Sequence, residues 1–448
     1  MSSTSAERPS GEILDLPWGE ESVRITLPSQ WHLAAVAAPI ALRPAADPGA
    51  EVARSLGAPI GSAGMGALAK PGARVALVID DGSRPTPQSL ILPAVLSELE
   101  RAGVRRESVT VVPALGVHRP MEESELSQRV GARAWAGLRW ENPDGDDKAR
   151  MVFLGTTRRG TPVWINRTVA EADLVVSVGC IEPHIIAGFG GGYKNIVPGV
   201  AGRETIAHNH ALNCTPATFN MVGRRPEDNP VRMDLEEAAA MLAPPVFIVN
   251  AILDDSQRLV RVVSGHPVAA HREGCEVSRS LNGIPVEAPA DIVIADSHPM
   301  DSDLRQGVKA LTNTIRAVRP GGVLIVMVRA REGTGVFGLA NRKLPVGRGA
   351  LRLLAPLLLP LVPRLKIAGM AEEDRFFLYF ALQSMRHARV FLYAPTIPAE
   401  VQERMPFVQF VAEAQDAVTA ARRLFPGRAE VLVFPSGGVT YPEILAAD

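Results

Sequence analysis

Cysteine is scarce in this chain: 448 residues carry only Cys180, Cys214 and Cys275, with no C-x-x-C pair. Three thiols cannot supply a disulfide framework, so stability has to come from an apolar core, and reduced thiols in a cytosolic protein fit that usage. An excess of either charge is missing as well. Lysine plus arginine number 47 against 48 acidic residues, which gives no general pull toward nucleic acid or an anionic membrane. Long apolar runs are absent. The longest, LLAPLLLPLVP from Leu353 to Pro363, is too short to cross a bilayer as a helix and contains three prolines. We read it, within residues 346–370, as a packed or mobile flap and expect no stable membrane association. The opening MSSTSAERPSGEILDLPWG lacks a basic start followed by an apolar segment, so it does not read as a secretory signal, and a cytoplasmic address is the expectation. Its polar first dozen residues are expected to be disordered. No internal repeat or low-complexity tract stands out.

What is present is length and alternation. A chain of this size can bury a sizeable core and is long for one domain, so two α/β lobes are expected. Short apolar runs rich in β-branched residues recur: RVALVIDD (74–81), SVTVVPALGVH (108–118), ADLVVSVGCIEPH (172–184) and PVFIVNAIL (245–253). Between the first two, PQSLILPAVLSELERAG has helical periodicity and stops at Gly103. Strand, helix, strand in that order predicts parallel sheets covered by helices. A second set follows NGIPVEAPADIVIADS (282–297): GGVLIVMVR (321–329), ARVFLYAP (388–395) and AEVLVFPSG (429–437) as strands, with a helix over 304–322. The expected fold is therefore α/β, with two lobes at residues 1–285 and 286–448. Each lobe carries a mainly parallel sheet covered by helices, with a cleft between the two.

In open α/β sheets ligands gather at the carboxyl ends of the strands, and the unusual residues of this chain fall there. DDGSRPTP follows the first strand, GVHRP the second and GCIEPH the third. Asp80, Asp81 and Arg84 stand at a strand-to-helix turn. A planar guanidinium there can hold a carboxylate or phosphate through two hydrogen bonds, with an aspartate to orient it; an ordinary cap with a surface ion pair reads equally well. His118 ends an apolar strand, where it can move a proton or serve as a structural hydrogen-bonder. GFGGGYK is more specific. Its glycines, among them Gly190, Gly191 and Gly192, allow the backbone to bring N–H groups close to a phosphate. It is not a Walker loop, because Asn195 follows the lysine. Lys194 can bind phosphate as a point charge, form a covalent bond through its amine, or stand solvated at the end of a flexible loop. His184 precedes the loop, while His208 and His210 follow it. Cys180 and Cys214 each lie four residues from a histidine, so a zinc site of two Cys and two His is a further reading. Later, LRQGVKAL sets Arg305, Gln306 and Lys309 at a helix start, where they suit an anion or form a solvated basic turn.

Together these blocks, with GVHRPMEESEL, EPHIIAGFGGGYKNIVPGVAGRETIAHNH and NPVRMDLEEAA, run in order over roughly residues 74–335 and resemble the lactate racemase family that uses the nickel-pincer nucleotide. The resemblance implies an isomerase: a racemase or epimerase of a 2-hydroxy acid. The implied reaction is proton-coupled hydride transfer to and from that nucleotide through a 2-oxo acid intermediate. It further implies that Lys194 carries the cofactor, nickel pyridinium-3,5-bisthiocarboxylic acid mononucleotide, covalently. Asp81, Arg84 and the three glycines would help to hold it, His210 would ligate nickel, and His118 and His184 would be the paired acid and base. Arg84, Gln306 and Lys309 would serve the substrate, with Arg305 beside them. On this reading residues 1–285 hold the cofactor and the histidines, and residues 286–448 add substrate-side groups. The partners are a small 2-hydroxy acid and the enzymes that make the cofactor. Three features depart from the family pattern: Arg305 where lactate racemases carry an aromatic residue, ADSHPMDSDL in place of a more glycine-rich approach, and Tyr193 after a longer glycine run. They bear on which substrate is used, and Arg305 favours one with a second polar group. The other readings are a homologue that binds a nucleotide-like ligand without turnover, and a zinc hydrolase.

Overall fold

The computed structural model describes residues 11–40, 42–335, 346–364 and 374–445. Residues 1–10 of the opening segment and residues 365–370 of the expected flap lie outside the described residues. The fold is α/β with mainly parallel sheets, and it divides into two compact units.

The first unit comprises Ile40–Asn282 with Pro363–Phe377. Its first sheet strand, Val75–Asp80, is buried at all six positions. A strand covered on both faces reads as a continuous apolar run rather than an alternation, and VALVID does so. It pairs in parallel with Val109–Ala114 on one side and Leu174–Cys180 on the other. Val246–Leu253 continues the sheet in parallel, Leu259–Gly265 closes that edge antiparallel, and Arg139–Trp140 closes the opposite edge. The chain thus builds outward in one direction from Val75–Asp80, then returns to build outward in the other. Such a reversal makes the loops at the carboxyl ends of Val75–Asp80 and Leu174–Cys180 diverge, and a crevice opens between them.

The helix Gln88–Arg101 returns from the first strand with Ile91, Leu92, Val95, Leu96 and Leu99 buried. Spacings of three and four put these residues on one stripe, and burying each large aliphatic side chain is worth about 1.5–3 kcal/mol. Gly103, at φ 82°, ends it. Its N–H bonds Glu100 O at 2.9 Å and the Val104 N–H bonds Leu99 O at 3.0 Å, a Schellman stop that needs a left-handed residue.

The second unit comprises Met1–Pro39, Gly283–Val362 and Leu378–Asp448. Its six-stranded parallel sheet runs in the order Gln409–Val411, Arg389–Tyr393, Val318–Met327, Ala290–Asp296, Ala429–Phe434, Trp31–Val36. The division is therefore not a single cut near residue 285. Trp31–Val36 completes the later sheet, and Leu14, Leu16, Ile25 and Leu27 pack into the same core as Ile292, Ile294 and Val323. The helix expected over 304–322 is also corrected. Two short helices, Leu304–Gly307 and Lys309–Thr314, give way to the strand Val318–Met327, because the apolar run from Val323 pairs on both sides with neighbouring strands.

Candidate active site

The first two strand ends meet through a histidine and an aspartate. Asp81, the residue after Val75–Asp80, is buried, and one of its oxygens accepts from the Ser83 N–H at 3.0 Å and the Ser83 hydroxyl at 2.6 Å. Its other oxygen takes the Nδ1 of His118, which follows Val109–Ala114. Burial alone would raise this carboxyl. The hydrogen bonds from His118 and Ser83, with the charges of His118 and Arg84, outweigh it and hold Asp81 well below the usual carboxylate range. Since an ionised carboxylate only accepts, His118 donates from Nδ1, which in the neutral ring leaves the lone pair on Nε2.

The first and third strand ends meet through Arg84 and Glu182, whose side chains are paired and largely buried. Glu182 escaped the sequence reading although it stands inside GCIEPH; nothing there marks it until the fold places it beside Arg84. Asp80 holds the turn from below. It accepts from Thr86, from Gln88 Nε2 at 2.8 Å and from Arg129 Nη2 at 3.0 Å, and Arg129 also reaches the Arg84 carbonyl at 3.2 Å.

His184 lies on a two-residue strand, Pro183–His184, paired antiparallel with Gly188–Phe189. Its Nδ1 accepts from the backbone N–H groups of Ile186 and Ala187, each at 3.2 Å. In the neutral ring this places the hydrogen on Nε2, the reverse of His118. Asn213 and Asn229 fix the turn that supplies these amides, each donating to the Ile186 carbonyl at 2.9 Å.

The glycine loop departs from the phosphate cradle that its composition suggests. The Gly190 N–H donates to Glu182 O at 2.7 Å and the Gly192 N–H to Asn250 Oδ1 at 2.8 Å, so both amides are used inside the protein. The glycines answer a packing demand instead. Gly191 and Gly192 have φ of 71° and 61°, and a Cβ on them would come within 2.6 Å of Ile181 Cγ1 and 2.9 Å of the His271 ring. The loop is gripped from the other side by Arg232, which is wholly buried. Its guanidinium donates to the carbonyls of Ala187, Phe189 and Gly191, while His271 Nε2 meets Gly190 O at 2.9 Å. Asn229 and Pro230 begin the helix Pro230–Ala239 that presents Arg232, Asn229 capping the N–H groups of Val231 and Arg232. Within NPVRMDLEEAA nothing local distinguishes Arg232. A buried arginine inside an otherwise ordinary helix start is visible only once burial is known.

The loop delivers Lys194 on a single 3-10 turn, Gly192–Asn195. Burial and the charges of Arg84 and Arg232 lower its amine to about 7, with Glu182 and Asp81 offsetting only part of this. His210, on the helix Arg203–Ala211, is lowered to about 3 by burial and by Lys194, so its imidazole is neutral throughout the physiological range. The Nδ1 of His210 is buried with no hydrogen-bond partner, whereas His208 on the same helix is exposed. Cys180 is buried, and its thiol is pushed far up, chiefly by burial. Among the described residues no group of three or more His, Cys, Asp and Glu side chains is placed to hold a metal by itself.

Arg305, Gln306 and Lys309 belong to the second unit. Asp303 caps the helix Leu304–Gly307 by accepting from the Gln306 N–H at 2.8 Å, Gln306 Oε1 is buried without a partner, and Lys309, at the start of the next helix, has its Nζ 3.7 Å from Met300 Sδ.

Comparison with known proteins decides the family. The lactate racemase N-terminal domain profile matches residues 18–220. The lactate racemase of Thermoanaerobacterium thermosaccharolyticum is 32% identical over 289 residues, covering 64% of this chain and 67% of that protein. The chain belongs to the lactate racemase family. The lactate racemase of Lactiplantibacillus plantarum is likewise 32% identical, over 293 residues, with the same coverage. The fold agrees: the structure of the T. thermosaccharolyticum lactate racemase apoprotein superposes with a TM-score of 0.82 at 24% identity, covering 96% of this chain and 100% of that one. A Thermotoga maritima protein superposes with a TM-score of 0.61 at 16% identity, over 84% of this chain and 94% of that one. Membership makes the chain a racemase-type isomerase.

Proposed function

We propose that the chain racemises or epimerises a 2-hydroxy acid with the help of a nickel-pincer nucleotide joined to Lys194. One observation carries this reading. His210 turns a buried Nδ1 with no hydrogen-bond partner into the same unit that buries Lys194 and whose strand ends hold the His118–Asp81 and Arg84–Glu182 pairs. The donor set fits such a group. A partly unprotonated amine suits a covalent bond, a neutral imidazole with a buried, unpartnered Nδ1 suits a borderline metal, and the Arg84 guanidinium suits an anionic part of a nucleotide.

When bound, the nucleotide supplies the acceptor and donor for the hydrogen on the substrate's 2-carbon. The proton falls to the histidines. With Nδ1 held by Asp81, His118 takes the 2-hydroxyl proton at Nε2, and the ionised carboxylate stabilises the imidazolium. His184 enters as an Nε2–H donor to the substrate oxygen. His118 then gives its proton to water, and His184 takes one from water at Nδ1, giving up the Ile186 and Ala187 amides, so that its Nε2–H can return a proton as the opposite hand forms. Arg84 uses Nη1 on Glu182, and the rest of its fork suits the substrate carboxylate. Gln306 and Lys309 add donors for the substrate's oxygens in this proposal, and Arg305 favours a second polar group.

The test is to produce the chain together with cofactor-making enzymes and measure intact mass, nickel content and the optical purity of lactate and longer 2-hydroxy acids. A mass increment on the Lys194 peptide, bound nickel and loss of optical purity are expected. Active protein with only the bare chain mass would remove the covalent link, and a loaded chain that racemises none of these acids would remove the activity.

A further inference from the structure

We propose that the helix Arg348–Leu358 and the turn after it form a docking surface for an anionic phospholipid bilayer. The helix buries Leu351 and Ala355 but leaves Leu353, Leu354 and Leu357 exposed at 79%, 39% and 70%, and Leu361 in the following turn at 51%. Leu353, Leu357 and Leu361 recur every fourth residue, which aligns them as one outward stripe. Single exposed leucines are ordinary; four on one short element form a patch that water disfavours.

The charge beside the patch says what covers it. Arg348 is exposed, and its guanidinium bonds only neutral acceptors: Pro406 O at 3.3 Å, Gln409 Oε1 at 3.0 Å and Val408 O at 2.6 Å. Burial and the charge of Arg389 both lower Arg348 and Arg352, so Arg389 lies near enough to act on each. Among the described residues no carboxylate pairs with any of the three. The sequence keeps acid away on a longer scale: from Glu332 to Glu372 no aspartate or glutamate intervenes, while six lysines and arginines do. A chain whose total charge is close to balanced thus has an acid-free, basic stretch of sequence on either side of these leucines.

Leucines flanked by arginines that pair with no carboxylate among the described residues match the boundary between acyl chains and acidic headgroups. Apolar contact and attraction to anionic lipid add there. A second copy is the poorer occupant, because a two-fold pairing of this face would bring the arginine cluster toward its own image. No described helix is long and apolar enough to cross a membrane, so the helix would lie in the plane of the interface and the association would be reversible.

The experiment is co-sedimentation of the full chain with extruded vesicles. Vesicles of phosphatidylcholine with about 30% phosphatidylglycerol should pellet the protein at about 0.1 M salt, and pure phosphatidylcholine or about 0.5 M salt should weaken this roughly tenfold. Leu353→Gln with Leu357→Gln should lose binding to a similar degree at unchanged melting temperature, since both side chains are exposed. If that pair alters melting, Arg352→Glu carries the test, and it should abolish the preference for anionic lipid. Equal binding to both lipid mixtures, or no binding to either, overturns the proposal. So does a dimer, seen by sedimentation velocity, that the leucine substitutions dissolve in protein showing no lipid binding.

Discussion

The imidazole of His118 meets the carboxylate of Asp81 through Nδ1, which leaves Nε2 as the basic nitrogen. His184 has the reverse arrangement, with Nδ1 accepting two backbone amides. The two proposed proton carriers should therefore rest in opposite tautomers. Nitrogen-15 spectra of histidine-labelled apoprotein, assigned with His118→Gln and His184→Gln, should show hydrogen on Nδ1 of the first and on Nε2 of the second. A shared tautomer would refute the assignment. Asp81→Asn should then lower kcat by about a hundredfold or more, the usual scale for losing an oriented general base, while the loaded chain keeps its mass increment.

Lys194 gives a pH dependence whose sign follows from its depressed pKa. Its amine falls from the ordinary lysine range to about 7 in the folded chain, so between about 7 and that range the unfolded chain holds more protons. Stability of the apoprotein therefore rises with pH across this window, and the full cost of a buried ammonium is felt below it. Lys194→Met should raise the melting temperature of apoprotein at pH 6, with the gain shrinking as pH approaches 10. A constant gain at every pH would show that the substitution acts through packing alone.

How much of this could be read from residues alone depends on whether a feature is local. VALVID, the Gly103 stop and the placement of Asp81, His118 and His184 after strands are local, so periodicity and turn chemistry find them. Membership of Trp31–Val36 in the later sheet is not local, since it rests on pairing with residues some four hundred positions away. Glu182 and Arg232 were missed for the same reason: each is ordinary in its own segment and becomes special through a partner on another. The glycine loop is the opposite case. Its composition fits a phosphate nest, and only the contacts of Gly190 and Gly192 reveal that their amides are already used.

Arg232 supports that loop, and its removal should be costly. Arg232→Met keeps most of the volume but takes the donors away from the carbonyls of Ala187, Phe189 and Gly191. An unpaired buried acceptor costs about 1–3 kcal/mol, so a loss of roughly 3 kcal/mol overall is expected, with relaxation absorbing part of the sum. For a unit of this size that corresponds to a fall in melting temperature of roughly 6–12 °C. Hydrogen exchange should accelerate over residues 187–195 more than in the strand Val75–Asp80. Uniform acceleration across the unit would mean that Arg232 stabilises the fold without specifically holding the loop that carries Lys194.

The three proposed histidine roles can be separated by metal content. His210 has its pKa lowered to about 3 by burial and by Lys194, so it offers a neutral nitrogen at any physiological pH, as a metal ligand must. His118 is already committed to a carboxylate and His184 to two amides, arrangements that hold a ring for proton transfer. In protein loaded with the nucleotide, His210→Ala should lower the nickel bound per chain, whereas His118→Ala and His184→Ala should keep nickel and lose turnover by about a hundredfold or more. Intact mass must be read beside the nickel assay, because His210→Ala leaves Lys194 in place and should keep the covalent increment. Equal nickel loss in all three variants would mean that the histidines form one interdependent cluster and would end the division of roles argued here. Retained nickel in His210→Ala alone would move the metal ligand to another residue while leaving the acid–base pair standing.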